Sequence, residues 1–261
     1  MRSMSIAATG MLAQQQMVDV ISNNIANMNT TAFKRQRPEF QDLLYQSLRK
    51  VGAASSDAGT IVPSGVQVGL GVKTGSVYRI TEQGSFVKTD NPLDLAIQGR
   101  GYFRVLLPNG DEAFTRAGSF QLSPDGTMVT IDGYQVQPGI TVPAESTSIT
   151  INSTGEVIVK IDGQVDPQVV GQLELTTFAN DAGLEQIGDN LLLQTPSSGT
   201  PISGSPGASG FGTLTQGFLE ASNVNAVAEV TSLITAQRAY EMNSKVIQTS
   251  DDMLGTLNQL R

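Results

Sequence analysis

The chain has 261 residues, of which 39% are hydrophobic, 5% aromatic and 15% charged, and 24 acidic against 16 basic residues give a formal charge of −8. The absence of Cys, His and Trp excludes disulfides, catalysis by cysteine or histidine, and metal sites built from Cys or His ligands. The acidic balance disfavours a nucleic-acid binder, because such proteins neutralise phosphates with Lys and Arg.

The first predicted element is an α-helix that covers residues 4–28. Apolar residues recur there with heptad spacing, Pro is absent, and the run ends in Asn-rich text that suits a helix C-terminus. We assign residues 1–32 to the N-terminal helix of an inner core domain. The apolar stripe of this helix, which we call the N-terminal seam and expect to serve self-assembly, consists of Met4, Ala7, Met11, Val18, Ile21, Ile25 and Met28.

The middle of the chain has the pattern of an antiparallel all-β domain. Short β-branched or aromatic segments alternate with turn residues, and the dipeptides at 109–110, 125–126, 132–133 and 162–163 are Asn-Gly or Asp-Gly, which are strong hairpin signals. We predict an extended connector and hairpin stretch over residues 33–71 and a β-rich outer domain over residues 72–217. The Ser, Gly and Pro content of residues 195–210 predicts a flexible loop within it.

The last predicted element is a second long helix, which makes residues 218–261 the C-terminal helix of the inner core domain. Ser222 or Asn223 is the predicted N-cap, and no Pro follows. Apolar residues lie on two stripes, so this helix must contact neighbours on more than one side. The C-terminal seams comprise Val230, Leu233, Tyr240, Val246, Ile247, Met253, Leu254 and Leu257.

The two terminal helices together predict a self-assembling structural subunit. The apolar surface that one pair of seams can bury offsets the conformational entropy lost on ordering the two helices only in part, so an isolated helix pair is marginally stable. We therefore expect the termini to be largely disordered in the monomer and to become helical only when several copies pack together. Contacts made through different faces are heterologous, and such contacts build rings or helical filaments.

A basic cluster of Lys34, Arg35 and Arg37 follows the first helix. It has two interpretations: a solvated turn whose cations lie near the carbonyls of the helix end, or a contact with an acidic surface of a partner or of another copy. We predict no catalytic, metal-binding or cofactor-binding residues, because the adjacent carboxylates at 111–112 and 251–252 fit a turn and a solvated helix face.

Motifs at both ends of the chain resemble those of the bacterial flagellar rod and hook axial proteins. The text SNNIANMNTTAFK at residues 22–34 and the texts GFLEASNVN and AQRAYEMNSK at residues 217–225 and 236–245 carry the resemblance, and QGRGYF and FTRAGSF match it in the β region. The motif residues are Asn23, Asn24, Asn27, Asn29, Phe33, Lys34, Ala236, Gln237, Arg238 and Tyr240.

This resemblance implies a non-enzymatic subunit of the flagellar basal body, without cofactor, that polymerises into a helical tubular drive shaft and carries torque to the hook. The terminal helices would form a coiled-coil-like inner layer and the β domain an outer one. The implied partners are other copies of the chain, proximal-rod proteins, the hook protein, the P- and L-ring proteins and the flagellar type III export apparatus. The first residues lack the continuous apolar run of a cleavable signal peptide, which agrees with that export route.

Within the family, the opening MRSM and the text FQDLLYQ at residues 40–46 favour a subunit of the distal rod, whose extra stretch matches residues 47–64. The alternatives are another axial subunit, from the hook or the proximal rod, and a surface domain that binds carbohydrate or peptidoglycan. The chain departs from the family pattern at Ala32, where the family has Gly before Phe33. If this position requires a positive φ, Ala32 is strained by about 1 kcal/mol.

Overall fold

A computed structural model of the chain describes residues 2–49, 64–162 and 166–259, with side chains described up to residue 256. Its two terminal helices are in contact, and the sequence between them forms antiparallel β structure, which confirms the predicted fold class. The chain divides into two compact units. The first comprises Met1–Ala26, Gln36–Tyr78 and Asn225–Arg261, and the second comprises Asn27–Arg35 and Arg79–Val224.

The first unit contains the helix pair, formed by α1 (Arg2–Ala26) and α2 (Ala226–Gln259). The helices run antiparallel, because Asn24 near the end of α1 contacts Glu229 near the start of α2, whereas Ser3 contacts Ser250. The buried residues of α1 are Ala7, Ala13, Val20, Ile21 and Asn24, and those of α2 are Glu229, Ala236 and Ser250.

The predicted N-cap of α2 was wrong by two or more residues, since the cap is Asn225. Its side-chain oxygen accepts hydrogen bonds from the backbone N–H groups of Val227 at 3.1 Å and Ala228 at 3.2 Å. Asn223 has a different role, because its side chain bonds to backbone carbonyls within the second unit. The helix therefore begins after this segment.

The first unit also contains a β-ribbon. Its strands are β1 (Gln36–Asp42), β2 (Tyr45–Arg49), β3 (Val66–Gly69) and β4 (Val72–Arg79), the last of which ends at the first residue of the second unit. β1 pairs with β4, and β2 pairs antiparallel with β3. Every side chain of β2 is exposed. The predicted distal-rod stretch, residues 47–64, lies mostly outside the described residues, because residues 50–63 are not among them.

The second unit is built on a nine-stranded antiparallel sheet. Its strands are β7 (Tyr102–Leu106), β8 (Glu112–Thr115), β9 (Gln121–Leu122), β10 (Met128–Val129), β11 (Gln135–Val136), β15 (Leu175–Thr177), β16 (Glu185–Gly188), β17 (Leu191–Leu193) and β18 (Ile202–Gly204). Their spatial order is β16-β17-β8-β7-β11-β10-β9, and β15 pairs with both β7 and β18. The predicted loop at residues 195–210 thus contains β18, because its backbone completes the edge beside β15.

Three smaller sheets complete the second unit. Their strands are β5 (Phe86–Lys88), β6 (Leu95–Gln98), β12 (Ser146–Ile151), β13 (Glu156–Ile161), β14 (Gln168–Gln172), β19 (Thr213–Gln216) and β20 (Phe218–Glu220). The pairings are β12-β13-β14, β19-β6 and β20-β5, all of them antiparallel. A 3₁₀ turn at Asp181–Gly183 lies between β15 and β16.

A large apolar core and a smaller apolar cluster stabilise the second unit. Phe103 and Phe120 pack edge to face with ring centroids 5.0 Å apart, and both are fully buried beside Leu95 and Val105. Phe114 and Phe178 make a second such pair at 4.8 Å in a smaller cluster. Other buried members of the core come from further strands of the large sheet, so burial of the core fixes the register of those strands. They are Ala113 of β8, Met128 of β10, Val136 of β11, Leu175 of β15 and Leu191 of β17.

Three of the four predicted hairpin dipeptides turn the chain between strands. Gly110 connects β7 to β8 with φ 89°, Gly126 connects β9 to β10 with φ 76°, and Gly133 connects β10 to β11 with φ 85°. Positive φ favours Gly, which explains the dipeptides. The fourth, at residues 162–163, lies partly outside the described residues.

Candidate functional site

The motif residues of the two chain ends meet in the second unit around the carboxylate of Glu220. This side chain is 1% exposed. Its Oε1 accepts hydrogen bonds from Lys34 Nζ at 2.5 Å and from the backbone N–H of Gly84 at 2.9 Å. Its Oε2 accepts one from Arg116 Nε, also at 2.5 Å. We call Lys34, Arg116 and Glu220 the buried ion triad.

Both cations of the buried ion triad also donate to backbone carbonyls. Lys34 Nζ lies 2.8 Å from the carbonyl oxygen of Glu82. The terminal nitrogens of Arg116 donate to the carbonyl oxygens of Ile97, Gly99 and Gly101 at 3.2, 2.7 and 3.1 Å. Because every charge has several partners, the triad satisfies the condition under which buried ions are tolerated.

Burial and charge act in opposite directions on these groups. Burial alone would raise the pKa of the Glu220 carboxyl, but the guanidinium of Arg116 and the ammonium of Lys34 outweigh it and hold that pKa below its ordinary value. Burial lowers the pKa of Lys34, and Glu220 only partly opposes this effect while Arg116 adds to it. The carboxylate is therefore stabilised in its charged form by two cations.

A second set of hydrogen bonds fastens the segment after α1 to the residues before α2. The N–H of Ala32 donates to the carbonyl oxygen of Glu220 at 2.8 Å, and the N–H of Arg35 donates to Asn223 Oδ1 at 2.7 Å. The side-chain amide of Asn223 donates to the carbonyl oxygens of Ile80 and Glu82. Ala32 has a φ of 57°, so the strain predicted from the family pattern is present.

The predicted basic cluster divides between different environments. Lys34 belongs to the buried ion triad, so its charge faces neither solvent nor an external acidic surface. Arg37 is exposed and forms an ion pair with Glu39 at 3.2 Å. The backbone of Arg35 is bound by Asn223.

Sequence reasoning did not assign roles to Glu220 or Arg116, although both lie within the quoted motif texts. Each is an isolated charge in a motif that is otherwise apolar or polar. This isolation could have indicated a buried ion pair, because a single charge among packed residues requires a partner.

The predicted N-terminal seam lies largely within the helix pair. Ala7 and Ile21 are buried, Met4, Met11, Val18 and Ile25 are half-buried, and Met28 is exposed beyond the end of α1. Three buried residues of α1, Ala13, Val20 and Asn24, were not in the predicted seam. Among the asparagines of the motif, Asn24 is buried and Asn27 half-buried, whereas Asn23 and Asn29 are exposed.

The predicted C-terminal seams divide between two faces of α2. Leu233, Ile247 and Leu254 are half-buried, and Val230, Tyr240, Val246 and Met253 are exposed, whereas the side chain of Leu257 lies outside those described. Ala236 is buried, and its motif neighbours Gln237 and Arg238 are exposed. We define the exposed apolar residues of α2 as Val227, Val230, Ile234, Tyr240, Met242, Val246 and Met253.

The adjacent acidic residues considered as catalytic candidates lie in a turn and on the surface of α2. Asp111 accepts a hydrogen bond from Asn109 in the β7–β8 turn, and Asp251 and Asp252 are exposed on α2. No group of three or more acidic side chains in the described ranges is arranged to hold a metal ion. Among the helices that the structure describes, none is long and apolar enough to cross a membrane.

Three family models match successive parts of the chain. They are the flagella basal body rod protein over residues 4–34, the flagellar hook protein FlgE/F/G D1 domain over residues 96–159, and the C-terminal region of the flagellar basal body rod FlgEFG protein over residues 215–260. The first and third correspond to the two helices and their motif text, and the second lies in the β unit.

Full-length relatives agree with these models. The flagellar basal-body rod protein FlgG of Caulobacter vibrioides is 62% identical over 261 residues, which cover all of both chains. The FlgG proteins of Agrobacterium fabrum and Bacillus subtilis are 50% and 41% identical and cover at least 99% of each chain.

Contacting terminal helices, an intervening antiparallel β region and these matches define an axial structural protein of the bacterial flagellum. The chain belongs to the family of flagellar basal-body rod proteins, in its FlgG group. It is a distal-rod subunit located in the basal-body rod, and its role is structural and not enzymatic.

Proposed function

We propose that copies of this chain polymerise through the exposed apolar residues of α2 into a helical tube that transmits torque from the motor to the hook. The observation that carries the proposal is the exposure of large apolar side chains along a helix whose opposite face is already packed. Met242 is 64% exposed and Met253 59% exposed. Side chains of this kind stabilise a protein only when another surface covers them.

A second copy of the chain is the occupant that this face requires. A rod subunit has identical neighbours throughout its polymer, and the packed face of α2 differs from its exposed face. The contact is therefore heterologous, and a heterologous contact that does not close continues as a helix. The seam residues retain their predicted assembly role under this proposal, the buried ones through the helix pair and the exposed ones through neighbouring copies.

As a basal-body rod protein, the chain assembles with rod and hook components. Its proposed partners in more detail are the proximal-rod proteins at one end, the hook protein at the other, and the P- and L-ring proteins around the outside. We also propose delivery by the flagellar type III export apparatus without signal cleavage. The proposed organisation keeps α1 and α2 in an inner layer and the second unit in an outer one. The bounds predicted for the inner helices, 1–32 and 218–261, are too wide, because residues 27–32 and 218–224 belong to the second unit and include β20.

A charged substitution on the exposed face of α2 tests the polymerisation contact. Met253→Asp should leave the monomer folded and block rod growth. Burying an uncharged polar group without a partner costs roughly 2–7 kcal/mol and burying a carboxylate costs more, and this cost recurs at every repeat of the polymer. Gln248→Asp is the matched control, since Gln248 is an exposed polar residue of the same helix.

The measurement is electron microscopy of basal bodies isolated from cells in which each variant replaces the natural chain. Met253→Asp should give structures that stop at a short rod without a hook, and Gln248→Asp should give complete hooks. Complete rods with Met253→Asp would show that this face is not a subunit contact.

A further inference from the structure

The helix pair of the first unit has an unusual interior, because three of its contacts involve polar or small residues. Asn24 Nδ2 donates to Glu229 Oε2 at 3.3 Å, and Ser3 and Ser250 share a hydrogen bond at 3.1 Å. Between them, Gly10 lies against Asn243 so closely that a Cβ on Gly10 would come within 2.9 Å of Asn243 Nδ2.

These contacts all have the same offset between the helices. On α1, Gly10 lies fourteen residues before Asn24, and Ser3 lies seven residues before Gly10. On α2, the corresponding partners lie fourteen residues after Glu229 and then seven residues further on. The contacts therefore lie on one antiparallel heptad ladder, which defines the register of the pair.

The apolar residues of α2 do not define that register. Leu233, Tyr240, Ile247 and Leu254 are spaced by seven residues, so a slip of seven brings each to the position of the next. A slip of seven residues in one direction brings Ala236 to the position opposite Asn24. A slip in the other direction brings the chain before α2 to that position. A slipped pair thus retains its apolar matches and loses the contact between Asn24 and Glu229.

Asn24 and Glu229 are also the most completely buried polar residues of the two helices, at 1% and 2% exposure. The side chain of Asn24 binds both backbone groups of Gln36, donating to its carbonyl oxygen and accepting from its N–H, each at 2.9 Å. A slip of α2 would keep the hydrogen bonds between Asn24 and Gln36 but break the hydrogen bond between Asn24 and Glu229. Buried polar groups that lose a partner are costly.

We propose that Asn24 and Glu229 are positioning residues that fix the register of the helix pair. The fixed register holds the exposed apolar residues of α2 at one position along the axis of α1. A slip of seven residues would move those side chains by about 10 Å, at 1.5 Å per residue. A single buried polar pair sets register in other helical assemblies at some cost in stability. The purpose of the register rests on the proposed function. The register itself is a property of one copy of the chain, so its test is independent of polymerisation.

The absence of Cys in the chain permits a direct test in the full-length protein. Ser5→Cys and Thr235→Cys, both at exposed positions, accept nitroxide labels, and pulsed electron resonance measures the distance between them. The natural pair should give one distance. Asn24→Leu combined with Glu229→Leu should add a second population displaced by about 10 Å along the helices.

Two controls separate a register effect from a packing effect. Gln14→Leu makes the same kind of change at a half-buried position outside the polar contacts and should leave one distance. Glu229→Gln keeps an oxygen that accepts from Asn24 and should also leave one distance. The slipped fraction in the leucine pair should rise at least about tenfold over that in both controls, which corresponds to about 1.4 kcal/mol.

The outcome that overturns the proposal is a single, unshifted distance in the leucine pair. If that variant fails to fold by circular dichroism, Asn24→Ala with Glu229→Ala replaces it, because truncation adds no volume. A single distance in a folded alanine pair would equally show that other residues set the register.

Discussion

The two units of the chain are stabilised by different kinds of interior. The β unit surrounds Phe103, Phe120 and their neighbours with side chains that are completely buried and apolar. The helix pair instead buries few apolar residues together with polar contacts, and leaves large apolar side chains of α2 exposed. Its buried apolar residues are Ala7, Ala13, Val20, Ile21 and Ala236. A core of the first kind stabilises its own fold, whereas a seam of the second kind specifies alignment and contributes less energy.

This difference fits a subunit whose β unit folds by itself and whose helices reach full stability among neighbours. The structure pairs the helices within one chain, but the apolar face that would add most to their stability remains exposed. The largest effects of substitution on the folded monomer should therefore fall in the β unit, and the smallest on the exposed face of α2, where assembly should change most.

The largest loss of stability is expected for Phe103→Ala. This side chain is fully buried, and truncating a buried Phe costs about 3–5 kcal/mol through lost apolar burial and the cavity that remains. Amide hydrogen exchange read by mass spectrometry should show faster exchange in peptides from β7, β8 and β15. Exchange in α1 and α2 should change much less, and an equal change in the helices would show that the two units unfold together.

A loss of about 3 kcal/mol is expected for Glu220→Gln, since it leaves Lys34 and Arg116 buried without their counter-charge. Glu39→Gln is the matched control, because Glu39 pairs with Arg37 at the surface and such pairs contribute only about 0–1 kcal/mol. Urea unfolding of the full chain gives both values. Similar values for the two variants would contradict a structural role for the buried ion triad.

The pH dependence of stability should report the same carboxylate. The pKa of Glu220 is lowered in the folded state, so its contribution is complete above its ordinary unfolded value and is lost as pH falls through the lowered folded value. The unfolding free energy should thus decrease more steeply below about pH 4 in the natural chain than in Glu220→Gln. Parallel curves would assign the acid sensitivity to other groups.

The sequence predicted the elements with strong local patterns and missed the contacts between distant parts. Heptad spacing predicted a helix at residues 4–28 where α1 covers Arg2–Ala26, and Asp-Gly dipeptides predicted turns that the structure contains. No local period reports that Lys34 and Glu220, far apart in the chain, form an ion pair. The N-cap of α2 was misplaced for the same reason, because a tertiary contact engages Asn223.

A small gain of no more than about 0.5 kcal/mol is expected for Ala32→Gly. The φ of 57° costs a residue with a Cβ about 1–2 kcal/mol, and the more flexible unfolded chain and the lost buried methyl group offset most of the relief. Ala228→Gly, on an exposed turn of α2, should have the opposite sign because Gly weakens a helix by about 1 kcal/mol. Equal signs would show that Ala32 is not strained.

The smallest effect on the monomer, and a large one on the polymer, is expected for Met242→Ser. Met242 is mostly exposed in one copy of the chain, so its replacement should change the unfolding free energy by no more than about 0.5 kcal/mol. If a neighbouring subunit covers it, the lost burial is worth about 1.5–3 kcal/mol for each subunit added. The concentration needed for polymerisation, measured by sedimentation, should then rise about tenfold or more, since each 1.4 kcal/mol is a factor of about ten. Gln248→Ser, at another exposed site of the helix, should leave that concentration unchanged, and the same result for Met242→Ser would place the subunit contact on a different face.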